Sequence, residues 1–181
     1  MSLVIGHVAL IQESKKQWFT LDLLKALLKK GYDAVGVFAG ECREPEYMSD
    51  LERKVENCGL KGQVSFLGRR NDIPDLLKMI DVLMIPSAFE GFPLAGLEAA
   101  AAGVPVAACN VAGAEEFIRV SGDGACFKED DIAEALQAIE VILRNREQMI
   151  ASGRAFAEKM SNAEYAKTSR HHFVELSEVI A

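Results

Sequence analysis

The chain has 181 residues, half of them apolar, with a formal net charge of −7 and a pI near 5.1. This length and composition predict one compact domain with a sizeable core, and the acidic balance argues against binding to nucleic acid or to an anionic membrane surface. No apolar run approaches the roughly 18 to 20 residues that cross a bilayer, so we expect no transmembrane segment.

Short apolar runs alternate with longer amphipathic ones along the first two thirds of the chain. The short runs predict strands, and they lie within residues 3–10, 34–40, 63–68, 82–86 and 104–109. The amphipathic runs predict helices, and they lie within residues 19–31, 46–59 and 73–80, from about residue 93, and within residues 114–118. From residue 131 the pattern is helical, over residues 131–145, 147–160 and 163–180.

Nearly continuous apolar strands between helices predict an α/β fold, a Rossmann-like doubly wound parallel sheet of about six strands with helices on both faces and a helical C-terminal tail. Ligands in such folds bind beyond the carboxyl ends of the strands. The chain is expected to be a single domain over residues 1–181.

Four cysteines show no Cys-x-x-Cys pair and no spacing to a histidine that fits a metal site. We therefore expect no metal, no cofactor and a reducing, cytoplasmic location. The cysteines are Cys42, Cys58, Cys109 and Cys126.

The loop after the fourth predicted strand carries the clearest sign of a ligand site. A helix is expected to begin with Pro93 in its first position, so that the amides of Phe92, Leu94 and Ala95 stay free to bind an anion. Glu90 precedes this helix and Glu98 follows within it, and carboxylates accept hydrogen bonds from sugar hydroxyls. A ligand that is anionic in its middle and rich in hydroxyls at both ends, such as a nucleotide diphosphate-sugar, fits this layout. The alternative is that one acid lies in a surface turn and the other on an exposed helix position.

The stretch of residues 86–118, PSAFEGFPLAGLEAAAAGVPVAACNVAGAEEFI, resembles the donor-site signature of the retaining glycosyltransferases of family 4, also called group 1. That signature has a Glu, seven residues, a second Glu, an Ala-rich helix, a Gly-x-Pro-Val strand and a Gly-x-x-Glu turn. The resemblance extends over roughly residues 3 to 130 and implies the C-terminal, donor-binding domain of a two-lobed GT-B-type enzyme.

The resemblance implies roles for the acids and the amides of this stretch. Glu90 would be catalytic and hold the sugar, Glu98 would hold the ribose, and the amides of Gly91, Phe92, Leu94 and Ala95 would face the sugar and the diphosphate. Glu116 matches the Glu of the Gly-x-x-Glu turn, or is the exposed start of a short helix.

It also implies roles for basic residues in two loops. Arg69 and Arg70, after the third strand, would lie against the base, mainly through the main chain. After the first strand the family usually has an Arg and then a Lys that contact the diphosphate. Here His7 stands at the Arg position, as a weaker, pH-dependent cation, and Lys15 or Lys16 fills the catalytic Lys position. The alternative is that His7 is a histidine at a strand end whose hydrogen bonds are satisfied within the protein.

Two more positions depart from the family pattern. Pro93 replaces a frequent glycine and removes one amide donor, and Ala112 replaces the first glycine of a Gly-Gly turn.

The N-terminal lobe, which binds the acceptor in enzymes of this family, is missing from the chain, so this fragment alone is expected to be inactive. The last helix, around residues 165–180, would cross back to that lobe and leave some apolar residues exposed, and the lobe could bring the enzyme to a membrane. Candidates for exposure are Phe173, Leu176, Val179 and Ile180.

The resemblance thus implies the donor-binding half of an enzyme that moves a hexosyl group from a nucleotide diphosphate-sugar to an acceptor hydroxyl, with retention of configuration and without a metal. A non-catalytic nucleotide-sugar-binding or regulatory module is the alternative, and a sugar-nucleotide 2-epimerase is a third interpretation. The motifs of ATPases and of dinucleotide-binding enzymes are both absent from the sequence.

Overall fold

The computed structural model describes residues 2–160, in which six strands form one sheet with every neighbouring pair parallel. The spatial order of the strands is β3-β2-β1-β4-β5-β6, which is the Rossmann order. The predicted fold class is therefore confirmed. The strands are β1 (Leu3–Val8), β2 (Ala34–Ala39), β3 (Val64–Phe66), β4 (Val82–Ile85), β5 (Val106–Cys109) and β6 (Gly124–Phe127).

Helices cover both faces of the sheet, and each face has its own apolar core. On one face α1, α2 and α6 bury Phe19, Leu51 and Ile139, and on the other α3, α4, α5 and α7 enclose Leu77 and Phe117. The helices are α1 (Gln17–Lys29), α2 (Pro45–Asn57), α3 (Ile73–Leu77), α4 (Leu94–Ala102), α5 (Ala112–Ser121), α6 (Ile132–Arg144) and α7 (Arg146–Lys159).

The central strands explain why the sequence reads as continuous apolar runs. All residues of β4 and β5 are buried, because helices pack on both of their faces. The strand order reverses between β1 and β4: the connection after β1 runs toward one edge of the sheet, and the connection after β4 runs toward the other edge. This arrangement opens a crevice at the carboxyl ends of these two strands.

Proline and glycine mark several element ends where the sequence predicted them. Pro45 is the first residue of α2, and Gly31 and Gly59 follow α1 and α2 with φ of 95° and 68°. Such positive φ values suit glycine, which has no Cβ to clash. Several boundaries differ from expectation by a few residues: α1 begins at Gln17, α3 ends at Leu77, and α5 spans Ala112–Ser121 where residues 114–118 were expected. The four-residue β6 was not located in the sequence.

The expected last helix lies outside the described residues. This includes Phe173, Leu176, Val179 and Ile180. Among residues 2–160, no helix combines the length and the apolar character that crossing a bilayer requires.

Candidate functional site

A cavity of about 250 Å³ lies at the point where the strand order reverses. Its walls come from the ends of β1 and β4, from the loop after each strand, and from the first turn of α4. Two segments distant in sequence, residues 7–15 and 84–95, thus meet where doubly wound folds bind ligands. The lining residues are His7, Val8, Ala9, Leu10, Lys15, Met84, Ile85, Ser87, Glu90, Phe92, Pro93, Leu94 and Ala95.

The N-terminus of α4 forms one wall of this cavity. Its first intrahelical hydrogen bond runs from the Leu97 N–H to the Pro93 carbonyl at 3.1 Å, so the amides of Leu94, Ala95 and Gly96 precede the helical ladder. Pro93 is the residue before the helix, with a non-helical ψ of 88°, which corrects the prediction that it takes the first helical position. Leu94 and Ala95 both line the cavity, where their amides and the helix dipole favour an anion.

Lys15 and Glu90 face each other inside the cavity. Lys15 Nζ lies 2.7 Å from Glu90 Oε1, and the two side chains are 23% and 13% exposed. The loops that carry them are also joined by the backbone, because the Ala88 N–H donates to the Ser14 carbonyl at 3.0 Å. The site therefore places a cation beside the N-terminus of a helix, with a carboxylate directly opposite.

The backbone of Glu90 rests on the start of α5. The Gly113 N–H donates to the Glu90 carbonyl at 3.1 Å, and a Cβ on Gly113 would lie 2.3 Å from that oxygen. The same Cβ would lie 2.2 Å from the Gly91 oxygen. Gly113 thus allows the close approach that fixes the Glu90 loop, a constraint that sequence reasoning did not identify. The neighbouring Ala112 is exposed and begins α5.

His7 is buried in β1 and is neutral at physiological pH. Its Nδ1 lies 2.9 Å from Thr20 Oγ1, and its ring stacks on Phe38 with centroids 5.8 Å apart. Burial, and then the nearby charge of Lys15, lower the pKa of His7 from 6.5 to about 3. Of the two interpretations of His7, the structure supports a hydrogen-bonded, neutral histidine near the end of a strand and not a pH-dependent cation, although the residue does line the cavity.

Lys16 points away from the cavity, toward the loop between β6 and α6. Its Nζ lies 2.6 Å from Glu129 and 2.7 Å from Asp130, and Lys16 and Asp130 have φ of 52° and 57°. Burial lowers the pKa of Lys16, but hydrogen bonds to the two carboxylates outweigh burial and leave the pKa raised. Of the two lysines that the sequence could not separate, Lys15 is the one that lines the cavity.

The predicted base-binding loop is exposed and lies outside the cavity lining. The Arg70 guanidinium donates to both oxygens of Asp72, at 2.8 and 2.6 Å, and this contact raises the pKa of Arg70. Arg69 is exposed beside it. The loop is anchored through Gly68, whose carbonyl accepts from the Gly40 N–H at 2.9 Å.

The remaining predicted residues divide between the cavity mouth and the helix surfaces. Phe92 is 42% exposed at the mouth and packs edge-to-face on Phe117. Gly91 is exposed in the same loop, and Glu98 is an exposed residue of α4 that does not line the cavity. Glu116 is exposed on α5 and pairs with Arg119, which lowers the pKa of Glu116.

Two polar residues of the site were missed by sequence reasoning. Ser87 is 2% exposed and lines the cavity directly after β4, and Thr20 is fully buried behind His7. The position of Ser87 at a strand end could have indicated it. Thr20 lies inside a helix, and nothing in the sequence pattern points to it.

No cluster of three or more His, Cys, Asp or Glu side chains suited to a metal ion occurs within residues 2–160. The cysteines of this part of the chain are free thiols.

Comparison with known proteins shows which family the chain resembles in sequence. The model of the family described as glycosyl transferases group 1 matches residues 1–163. The lipopolysaccharide core biosynthesis mannosyltransferase LpsB of Rhizobium meliloti (strain 1021) is 28% identical over 152 residues, which cover 82% of this chain and 43% of the relative. The UDP-Gal:alpha-D-GlcNAc-diphosphoundecaprenol alpha-1,3-galactosyltransferase of Escherichia coli is 32% identical over 141 residues, which cover 76% of this chain and 36% of the relative.

A solved structure shares the architecture. The structure of Anabaena Alr3699/HepE in complex with UDP-glucose matches with a TM-score of 0.81 and 26% identity, over 94% of this chain and 49% of that one. The chain thus spans less than half the length of each of these relatives.

Proposed function

From the premise that this chain belongs to the group 1 family of glycosyl transferases, we propose that it is the donor-binding half of an enzyme that uses a nucleotide diphosphate-sugar. The full protein transfers a hexosyl group to an acceptor hydroxyl with retention of configuration. The main observation behind this proposal is that Lys15 and Glu90 form an ion pair in a cavity that is also lined by the N-terminus of α4.

The diphosphate is proposed to lie at the start of α4. Leu94 and Ala95 line the cavity there, their amides precede the hydrogen-bonded part of the helix, and Lys15 supplies a full positive charge within the same space. Backbone donors and a fixed cation that surround a leaving group stabilise the charge that develops on it as the bond to the sugar breaks. The helix fixes the amides before the ligand arrives, whereas Lys15 must lengthen its contact with Glu90 to reach the phosphates.

The sugar is proposed to lie against Glu90. This carboxylate is 13% exposed, and the close approach of Gly113 holds its backbone. A carboxylate makes strong hydrogen bonds to hydroxyl donors and can keep the sugar ring in one orientation. Relatives described as a mannosyltransferase and a galactosyltransferase support a hexosyl group, and the UDP-glucose complex supports a nucleotide-sugar donor.

Glu98, Arg69, Arg70 and Glu116 are proposed to act farther from the diphosphate. Glu98 is exposed on α4 and is available to the ribose hydroxyls, while the main chain around Arg69 and Arg70 faces the base. Glu116 and Lys16 make ion pairs outside the cavity, so that a direct role in donor binding requires each to leave its present partner.

We propose that the partner of this half is an N-terminal lobe of the same protein that binds the acceptor. The chain spans 43% and 36% of two curated relatives. Large apolar side chains surround the mouth of the cavity, and a facing lobe would cover them. They are Leu10, Phe89, Phe92 and Leu94, with exposures of 39%, 77%, 42% and 68%.

No metal ion is required in the proposed chemistry, because Lys15 and the α4 amides provide the positive potential. We also propose a cytoplasmic site of action, with any membrane association provided by the other lobe, since the four free cysteines suit a reducing compartment.

The first test is calorimetric titration of the chain with UDP, GDP and their sugars. Lys15→Met should weaken binding of the preferred nucleotide by about 10-fold or more, the usual effect of losing one charge-assisted contact. Lys16→Met is the matched control and should have the smaller effect. Equal effects of the two substitutions, or a larger effect of Lys16→Met, would remove Lys15 from the diphosphate site.

The ribose role has its own variant. Glu98→Ala should weaken nucleotide binding, whereas equal affinity of variant and wild type would exclude contact between Glu98 and the ribose.

A non-catalytic nucleotide-sugar-binding module is the second candidate, and the neutral, buried His7 favours it because no cation stands at that position. Transfer by the full-length protein distinguishes the two. Activity that Glu90→Ala abolishes supports the enzyme, and donor binding without transfer to any acceptor supports the module.

A further inference from the structure

The two ring nitrogens of His7 have different surroundings. Nδ1 faces the protein, 2.9 Å from the hydroxyl of Thr20, and Thr20 is fully buried in α1. Nε2 has no hydrogen-bond partner within residues 2–160, yet it is not among the sealed, unpartnered polar atoms of that region. Because His7 also lines the cavity, Nε2 is the nitrogen that opens onto it.

The hydroxyl of Thr20 determines which nitrogen carries the proton. A neutral imidazole has one N–H and one lone pair, and a hydroxyl can either donate or accept. Within residues 2–160 no carbonyl oxygen accepts a hydrogen bond from Thr20 Oγ1, so its hydrogen has one available acceptor, the lone pair of Nδ1. The opposite arrangement, with a proton on Nδ1, would leave a buried hydroxyl hydrogen without an acceptor, which is unfavourable.

The neutral state of the ring is itself a result of its neighbours. Phe38 stacks on one face of the ring, and within residues 2–160 the charge that lowers the pKa of the ring is that of Lys15, on the loop after β1. A second positive charge beside Lys15 in a buried site is disfavoured. The cavity therefore receives one cation and one neutral donor from the first strand and its loop.

We infer that Thr20 is a positioning residue that holds His7 as the Nε2–H tautomer, so that His7 donates an uncharged hydrogen bond to an anionic oxygen of the ligand. This inference deepens the proposed function and rests on it for the identity of the ligand. It assigns a role to a residue that lies behind the site and touches no ligand. It also gives His7 a contribution to phosphate binding that does not require a positive charge.

The tautomer is measured in the free protein, without any ligand. Long-range ¹H–¹⁵N spectra of histidine-labelled protein distinguish a protonated from an unprotonated ring nitrogen, and His7→Gln identifies the His7 signals among those of three histidines. The expected result is a protonated Nε2 and an unprotonated Nδ1 from about pH 5 to pH 8. A protonated Nδ1, or a doubly protonated ring in this range, would overturn the inference.

The ligand contact is measured by adding UDP, with uridine as the matched control that lacks phosphates. UDP should shift the Nε2–H resonance and uridine should not. Thr20→Val, which removes the hydroxyl at nearly constant volume, should weaken UDP binding about 3- to 10-fold, and Thr20→Ser should restore it. UDP binding that leaves the Nε2–H resonance in place, or equal UDP affinity in Thr20→Val and wild type, would overturn the contact.

These results separate the inference from the proposed function. If wild type binds neither UDP nor GDP, the proposed function fails and the ligand contact fails with it. The free-protein spectrum still decides whether Thr20 sets the tautomer. If UDP binds and the tautomer is Nδ1–H, the proposed function stands and the inference is overturned.

Discussion

The substitution Glu90→Gln should tighten the binding of UDP. In the free protein Lys15 donates to Glu90 at 2.7 Å, so a diphosphate must compete with this carboxylate for the same ammonium group. Glutamine keeps the size of the side chain and removes its charge. Lys15 is then free to turn toward the phosphates, and a repulsive carboxylate has left the cavity.

The exposure of the two side chains sets the size of this effect. Exposed pairs contribute about 0–1 kcal/mol and removal of one partner from a buried pair costs about 3–5 kcal/mol. At 23% and 13% exposure the Lys15–Glu90 pair lies between these limits. We expect a gain of about 1–2 kcal/mol, or roughly 5- to 30-fold in UDP affinity.

The assay is calorimetric titration of wild type and variant with UDP and then with a UDP-sugar that wild type binds. Glu52→Gln is the matched control, since Glu52 is exposed on α2, does not line the cavity and has no ion-pair partner within residues 2–160. The additional affinity that wild type gains from the sugar should be smaller in Glu90→Gln, because the carboxylate that accepts from the sugar hydroxyls is gone. A Glu90→Gln variant that binds UDP more weakly than wild type, or equally well, would refute this reasoning.

Three further predictions concern the stability of the fold. Gly113→Ala should destabilise the protein by about 1–3 kcal/mol and weaken UDP-sugar binding, because its Cβ would lie 2.2 Å from the Gly91 oxygen. Gly91→Ala is the control, because a Cβ added there contacts no other atom, and it should unfold at nearly the wild-type urea concentration. Equal urea midpoints for the two variants would contradict the prediction. The pKa of His7 is about 3 in the folded chain and ordinarily 6.5, so the stability that the neutral ring contributes is complete above pH 6.5 and is lost as the pH falls toward 3, by about 1.4 kcal/mol per pH unit. In urea titrations His7→Gln should therefore lose less stability than wild type between pH 6.5 and pH 4.5. Parallel losses in the two proteins would count against burial of a neutral ring. Asp123 is fully buried, both of its carboxyl oxygens lack a partner within residues 2–160, and burial raises its pKa from 3.8 to about 8. The stability that the protonated carboxyl contributes is therefore present near pH 4 and is lost as the pH rises toward 8. At pH 8 Asp123→Asn should unfold at a higher urea concentration than wild type, and a less stable variant at that pH would show that the carboxyl has a partner.

The sequence was sufficient to predict the first five strands and the helices between them, because burial leaves a recognisable pattern of apolar residues in the sequence. β4 and β5 are buried along their whole length and appear as uninterrupted apolar runs. The strand β6 was not located, since it has four residues, one of them exposed, and no such pattern to detect.

The site was predicted less completely because its geometry depends on contacts between distant segments. The sequence located Glu90 and the helix end beside it, but it could not decide between Lys15 and Lys16. That choice follows from Lys16 taking a φ of 52° and pairing with Asp130, a residue of another loop. The sequence also could not decide whether His7 is a cation or a hydrogen-bonded neutral residue, since its burial in β1 depends on the packing of Phe38 and Thr20 around it.

The most direct test of the central claim is a crystal structure of this chain grown with UDP. Diphosphate oxygens should lie within hydrogen-bonding distance of the Leu94 and Ala95 amides and of Lys15 Nζ, with the Lys15–Glu90 contact lengthened. UDP bound elsewhere, with Lys15 still 2.7 Å from Glu90 beside a cavity that holds no phosphate, would contradict it.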